Sequence, residues 1–92
     1  MGITTLTGTL TCTSQADVDM VQAFLPDHIR LSRAEAGCLK FNVTQGENPF
    51  VWHLDEAFVD ADAFAAHQTR TKATIWATKT AHLVRNFKRI DS

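Results

Sequence analysis

The stretch Phe50-Val51-Trp52-His53-Leu54-Asp55-Glu56-Ala57-Phe58-Val59-Asp60-Ala61-Asp62-Ala63-Phe64-Ala65-Ala66-His67 decides the fold. Its first nine residues alternate: Phe50, Trp52, Leu54, Glu56 and Phe58 share one face, and Val51, His53, Asp55 and Ala57 share the other. A period of two, rich in aromatics, is a strand with one strongly apolar face. At Asp60 the period changes. Asp60 can cap a helix, Asp62 lies in its first turn, and Ala63, Phe64 and His67 recur at helical spacing. A central strand therefore feeds a helix that returns across the sheet, carrying a histidine at the end of its second turn. Chemistry is expected between Trp52 on the strand and His67 on the helix.

Upstream, Gly46-Glu47-Asn48-Pro49 carries turn residues and joins this strand to an earlier one, Cys38–Gln45, as a hairpin. Leu39, Phe41 and Val43 are expected to face inward there, with Lys40, Asn42 and Thr44 opposite. Ser14 with Asp17 three residues on is a capping-box-like helix start. Val18, Val21, Leu25, Ile29 and Ser32 follow at steps of three and four, a stripe reaching about Ala34. Pro26 predicts a kink or brief break near Leu25, because its ring clashes with the carbonyl four residues back. Gly37 reads as the terminating cap. Residues 3–12 alternate Leu6, Leu10 and Cys12 against four threonines, a first strand in which Gly8 either weakens the strand locally or lets something approach the backbone. Downstream, Thr69–Thr71 marks a bend, and Ala73, Ile75, Trp76, Ala77 and Thr80 continue helically to about Ala81. Residues 83–90 form the last strand, with Leu83, Arg85, Phe87 and Arg89 on one face.

The order β-α-β-β-α-β is the α+β, ferredoxin-like arrangement, an antiparallel sheet with helices on one face. The other face would carry the first-strand threonines, Lys40, Asn42, Val51, His53 and Ala57. That mixture is too apolar for pure solvent surface and too polar for a core. A homodimer packed sheet on sheet would cover it.

Ninety-two residues make one domain, 1–92, which buries roughly two-thirds of its unfolded surface and so has a thin core. Nine Lys/Arg against ten Asp/Glu give a net charge of −1, which argues against a nucleic-acid binder. Six of the nine basic residues follow residue 69, where Asp91 is the only acid. An anionic substrate could use that excess, although a solvated face explains it as well. No apolar run approaches the roughly 20 residues needed to span a membrane. The N-terminus lacks a basic segment leading into an apolar one, so the chain reads as cytoplasmic. Cys12 and Cys38 are too few for a disulfide framework and wrongly spaced for zinc.

With these elements in place, the chain resembles the antibiotic biosynthesis monooxygenase family, small proteins of the dimeric α/β-barrel fold. The resemblance rests on Ser32-Arg33-Ala34-Glu35-Ala36-Gly37-Cys38, Trp52-His53-Leu54-Asp55-Glu56-Ala57-Phe58 and Asp62-Ala63-Phe64-Ala65-Ala66-His67-Gln68. Arg70-Thr71-Lys72-Ala73 with Trp76 extends it, and the blocks occur in order over about residues 3–90. Family resemblance implies the dimeric barrel. It leaves the reaction open among quinol and polyketide monooxygenases, haem-degrading enzymes, signal-molecule isomerases and members of no known activity. The haem-degrading members carry a tryptophan where this chain has Phe58, and the first strand here has no asparagine, although their axial histidine would match His67.

The family's monooxygenases use no flavin, metal or haem, so the resemblance implies no cofactor. The residues agree: the four glycines form no nucleotide or phosphate loop, and the four histidines form no His-x-x-x-His pair for a metal. The substrate must then deliver the electron to oxygen itself, as a deprotonated phenol or hydroquinone can. That requires a base near neutral pKa and donors aimed at the developing oxyanion. His67 is the first candidate for base or anchor, in a partly exposed pocket where His67→Ala is expected to cost rate and little stability; if it is a structural hydrogen-bonder instead, the same change is expected to cost roughly 1–3 kcal/mol in folding. Trp52 and Trp76 are candidates for stacking on an aromatic ring, unless they are simply core. Asn42 can donate and accept to a quinone or enolate oxygen, or, facing away from Leu39 and Phe41, line the dimer interface instead. His28, near the apolar stripe of the first helix, either touches substrate or partners Glu35 or Glu56. Glu56, on an apolar strand face, reads as structural and needs a buried partner. The leading expectation is a cofactor-independent monooxygenase of a small quinol-like or polycyclic phenol. The alternatives are a small-metabolite isomerase or lyase on the same pocket, and a non-catalytic dimeric binding or stress-response module, which a pocket filled by Trp52, Trp76 and Phe64 would favour.

Overall fold

The chain runs β1 (Thr4–Thr11), α1 (Gln15–Arg33), β2 (Cys38–Gln45), β3 (Val51–Phe58), α2 (Ala61–Lys72), α3 (Ile75–Thr80) and β4 (Val84–Asp91), in a computed structural model that describes residues 2–92. The four strands form one sheet in the order β2-β3-β1-β4, with every neighbouring pair antiparallel. With α2 and α3 together in the second helical position, this is the β-α-β-β-α-β ferredoxin-like fold.

Each helix starts where a side-chain oxygen caps it. The Ser14 hydroxyl accepts from Asp17 N at 3.2 Å, the Asp60 carboxylate from Ala63 N at 2.8 Å, and the Thr74 hydroxyl from Ala77 N at 3.4 Å. Each cap contributes about 1 kcal/mol. The buried stripe of α1 is Val18, Val21, Leu25, His28 and Ser32. Contrary to the sequence expectation, α1 continues through Pro26 without a break. Pro26 is exposed, while Val21 and Leu25 are 0% and 5% exposed. Burial of two aliphatic side chains, at roughly 1.5–3 kcal/mol each, is enough to hold the turn that lacks one hydrogen bond. The bend expected at Thr69–Thr71 falls instead between α2 and α3, at Ala73 and Thr74, where the Thr74 hydroxyl also donates to Thr71 O at 2.6 Å.

The helices cover one sheet face. Leu6 and Leu10 of β1, Phe41 and Val43 of β2, and Trp52 and Phe58 of β3 meet Val18, Val21, Leu25, Phe64 and Trp76 there. Leu39 departs from the expected inward set. The register slips between Cys38, opposite Phe58, and Lys40, opposite Ala57, and Leu39 in that irregularity is 55% exposed. Gly8, at the centre of β1, has φ +147°, and a side chain there would run into the backbone carbonyl of Asn86 and Cα of Phe87. Close approach by β4 is what the missing side chain permits. The opposite sheet face presents cross-strand rows: Lys40, Ala57, Thr5 and Ile90, then Asn42, Asp55, Thr7 and Lys88, then Thr44, His53, Thr9 and Asn86.

Candidate functional site

Between the sheet and the helices lies a cavity of about 190 Å³. Leu6, Leu10, Val43, Leu54 and Phe87 floor it from the sheet, and His28, His67, Thr71 and Trp76 roof it from the helices. Strand parity and helical pitch bring these together: the even positions of β1 and β3 and the odd positions of β4 share the covered face, and His67 and Thr71 lie one turn apart on α2. Glu56 and Arg85 are the charged-type side chains that the sheet contributes to its lining.

His67 is the pivot of the polar part. It is 4% exposed, and its ring packs on Phe58 and Phe41 with centroids 4.9 and 5.4 Å away. Nδ1 lies 2.8 Å from Glu35 Oε1, and the other Glu35 oxygen accepts from Arg70 Nε at 2.6 Å. Arg70 is fixed in turn by donating Nη2–H to the Ser32 hydroxyl at 2.9 Å. A carboxylate paired with arginine can only accept, so Nδ1 carries the proton and Nε2 keeps its lone pair. On the Nε2 side stand the Thr71 hydroxyl at 3.5 Å and Glu56 Oε1 at 3.7 Å, both from cavity-lining residues. Burial lowers the His67 pKa below its ordinary value, and the Glu35 hydrogen bond opposes that shift without cancelling it. The result is a neutral imidazole, oriented by a carboxylate that stabilises the imidazolium once Nε2 takes a proton.

Glu56 is in an unusual state for a glutamate. It is 4% exposed and Oε1 has no hydrogen-bond partner. Burial, with a smaller contribution from the Glu35 charge, pushes its pKa up to about 8. His28 is the converse case, lowered to about 3 by burial first and then by His67 and Arg70. It stacks on Trp76 at 4.9 Å with 11° between the planes and meets the edge of Phe41.

These two shifts have opposite signs in folding. The folded protein keeps a proton on Glu56 that the unfolded chain releases near 4.5, so this group favours folding in acid and the favour is lost as pH rises through about 8. For His28 the unfolded chain binds the proton below 6.5 and the folded protein only near 3, so its effect is to destabilise progressively below 6.5. Above 6.5 His28 is mostly neutral in both states, so its own slope fades there while that of Glu56 continues. We expect the melting temperature to fall as pH is raised from 6.5 through about 8. Glu56→Gln should flatten that fall, as read by thermal melts across the range, and an unchanged slope in the variant would assign it to another group.

Of the residues singled out in the sequence, the fold brings His67, His28 and Trp76 to the cavity wall. Trp52 is buried in the core opposite Leu10 and Gln45 and does not line it. Asn42 lies exposed on the sheet face away from the helices, where its side-chain oxygen accepts from Arg33 Nη2 at 3.1 Å. His28 partners neither Glu35 nor Glu56; His67 stands next to both. The sequence reading passed over Arg70, Thr71 and Arg85 as site residues. Arg70 and Thr71 stand three and four positions after His67, and Arg85 was on the inward parity of β4, so all three had a periodic signal. Glu35 had none, being a loop residue between α1 and β2. Among the described residues, no three His, Cys, Asp or Glu side chains converge as a metal-binding set.

No curated protein matches this chain. Among solved structures, a Nitrosomonas europaea protein assigned provisionally as an antibiotic biosynthesis monooxygenase superposes with a TM-score of 0.80 at 17% identity, over 100% of this chain and 90% of that one. PA3566 from Pseudomonas aeruginosa gives 0.73 at 24% identity, over 100% and 93%. A Bacteroides thetaiotaomicron protein of unknown function, described as a possible oxidoreductase, gives 0.77 at 13% identity, over 99% and 98%. At these identities the likeness is one of fold. The family model for antibiotic biosynthesis monooxygenase matches residues 9–82, from within β1 to the residues before β4, and with that match the chain belongs to the antibiotic biosynthesis monooxygenase family.

Proposed function

We propose that the protein is a cofactor-independent monooxygenase of a small quinol or phenol, with His67 as the base. The observation that carries this reading is the placement of His67: Nδ1 tied to Glu35 at 2.8 Å, Nε2 turned to a mostly apolar cavity. Nε2 takes the proton of a ring hydroxyl, and the resulting anion is electron-rich enough to reduce dioxygen directly. For a hydroquinone the reaction balances as hydroquinone plus O₂ giving hydroxyquinone plus water. One oxygen atom enters the ring, the other leaves as water, and the substrate supplies all the electrons. The imidazolium returns its proton to the departing oxygen. Trp76, stacked on His28 in the roof, presents an aromatic wall to the ring.

The cavity narrows the substrate. About 190 Å³ is below the roughly 300–1,000 Å³ of pockets for drug-sized ligands, so a single ring or two fused rings fit and larger polycycles do not. The cavity also counts against a purely non-catalytic module, since Trp52 and Phe64 pack elsewhere and leave it open. Oxygen uptake with a panel of one- and two-ring hydroquinones, without added reductant, tests the reading. Uptake matched mole for mole by hydroxyquinone supports it. Proton transfer within an enol or hydroxyketone substrate, with no oxygen consumed, would make the same pocket that of an isomerase.

The open sheet face is proposed to bind a second copy, closing the dimeric α/β-barrel. Val84, Ile90 and Leu39 are 57%, 48% and 55% exposed, with threonines and Ala57 between strands. These apolar side chains are interleaved with charged and polar ones, a mixed face that a second sheet packed against it would cover. Sedimentation at micromolar concentration is expected to give twice the 10.2 kDa chain mass, and a stable monomer would remove the proposal.

A further inference from the structure

Glu56 enters no step of the reaction above, yet it is a buried carboxyl in the cavity wall to which, among the described residues, no arginine or lysine is bonded. Arg70 binds Glu35 and Ser32 through Nε and Nη2, with Nη1 buried and unpartnered, and Arg85 binds Thr80, to which it donates twice at 2.7 and 2.8 Å. Burying an ionised carboxylate with no such partner is far costlier than burying its neutral acid. A neutral acid carries a proton to donate, and Oε1 gives or receives no hydrogen bond within the protein. His67 Nε2 stands 3.7 Å from it, too far for a direct bond.

That spacing suits an inserted oxygen. An atom about 2.7 Å from each of the two, an ordinary hydrogen-bond length, sees them at an angle of about 87° given their 3.7 Å separation. A ring hydroxyl can meet both demands with one atom, donating its proton to Nε2 and accepting the Glu56 proton on a lone pair. We propose that Glu56, as its neutral carboxylic acid, and His67 together form a two-point site for a single hydroxyl oxygen of a compact phenol or enol. Once His67 takes the proton, the oxyanion is held by two donors, imidazolium Nε2–H and Glu56 O–H, both of them buried, where such bonds count most. No atom is gained or lost: the hydroxyl O–H bond breaks, an N–H bond forms at Nε2, and the Glu56 proton stays on Glu56. Glu56 is then a catalytic residue, stabilising the charge that His67 creates.

This inference rests on the proposed chemistry of His67 but needs no oxygen step, so the two can fail separately. The charged and titratable groups around Glu56 are His28 from α1, Glu35 from the α1–β2 loop, Cys38 from β2, His67 and Arg70 from α2, and Arg85 from β4. The probe is 4-nitrophenol, a single ring whose ionisation is read directly from its visible absorbance, titrated into the purified protein near neutral pH. The unmodified protein should bind it and raise its ionised fraction over that in buffer. Glu56→Gln keeps an uncharged donor in the same place and should bind within about threefold, whereas Glu56→Leu removes the donor and should weaken binding about tenfold or more. Leucine suits the apolar surroundings, and a thermal melt confirms that both variants are folded. Three results would each overturn the proposal. One is no binding to the unmodified protein, another is equal binding by the leucine variant, and the third is tighter binding by the glutamine variant, the sign of an ionised Glu56 repelling the anion. Oxygen uptake with hydroquinones, run on the same preparations, decides the monooxygenase reading independently.

Discussion

His67→Asn is expected to lower turnover by ~10²–10⁴-fold, the usual loss when a general base is removed. Asparagine is the informative replacement. Its side-chain N–H can stand where Nδ1–H stands and keep the bond to Glu35, while nothing replaces the lone pair of Nε2. The variant therefore removes the base and spares the anchor. It is not free of structural cost. His67 is 4% exposed and packs on Phe58 and Phe41, so the expectation of a partly open pocket with little effect on stability does not hold. Losing that ring contact should destabilise by roughly 1–3 kcal/mol. His67→Ala should cost more, because Glu35 would then keep Arg70 alone. Rates and melting temperatures taken on one preparation separate the two effects. A variant that melts lower yet turns over at the original rate per folded molecule would move the chemistry away from α2. Added imidazole should restore part of the alanine variant's rate if the cavity admits it.

His67 and Glu56 have their protonation states pushed in a complementary direction by one cause. Burial makes the imidazole a neutral base and the carboxyl a neutral acid, and both face one small volume. Two groups with environments that force acid and base forms to coexist near neutral pH are what proton-transfer chemistry needs. Glu35 is the contrast. Bonded to Arg70 and 20% exposed at its side chain, it orients His67 from outside the cavity.

The order of elements was legible because amphipathic period is a local property. The switch from period two to helical spacing at Asp60 placed β3, the α2 cap and His67 together, and each stands there in the fold. Leu39 was misread because alternation assumes an unbroken register, and the slip between Cys38 and Lys40 depends on pairing with β3. The break at Pro26 does not form because local propensity is set against packing, and the buried Val21 and Leu25 in the preceding turns hold the helix together. The inward parity of Glu56 could be seen, but not that its cavity neighbour would be His67, 11 positions away and on another element. The Glu35–His67 bond joins residues 32 apart in the chain, and no spacing rule reaches that far.

Gly8→Ala tests how the site's floor is built, and it should be strongly destabilising. Gly8 lies on β1 between Leu6 and Leu10, opposite Leu54 on one side and Phe87 on the other, and all four of those residues line the cavity. Its φ of +147° is a conformation that residues with a Cβ rarely adopt, at a cost of about 1–3 kcal/mol. A Cβ would also press on the Asn86 carbonyl and on Phe87 Cα, which are backbone and cannot rotate aside. Overpacking of that kind costs roughly another 1–3 kcal/mol. Against a total stability of about 5–15 kcal/mol for a domain, the sum is a large fraction, and a fall in melting temperature of well over 10 °C is expected. If β1 instead returns to ordinary extended geometry, β4 must move away from it and carry Phe87 and Arg85 with it. The cavity would then open along that edge, and binding of a phenol probe should weaken even in the fraction that stays folded. Thermal melts read the first effect, and titration well below the melting temperature reads the second. An alanine variant that melts within a few degrees of the original would show that β4 can yield at no cost, and that the approach of the two strands is not what sets the cavity's size.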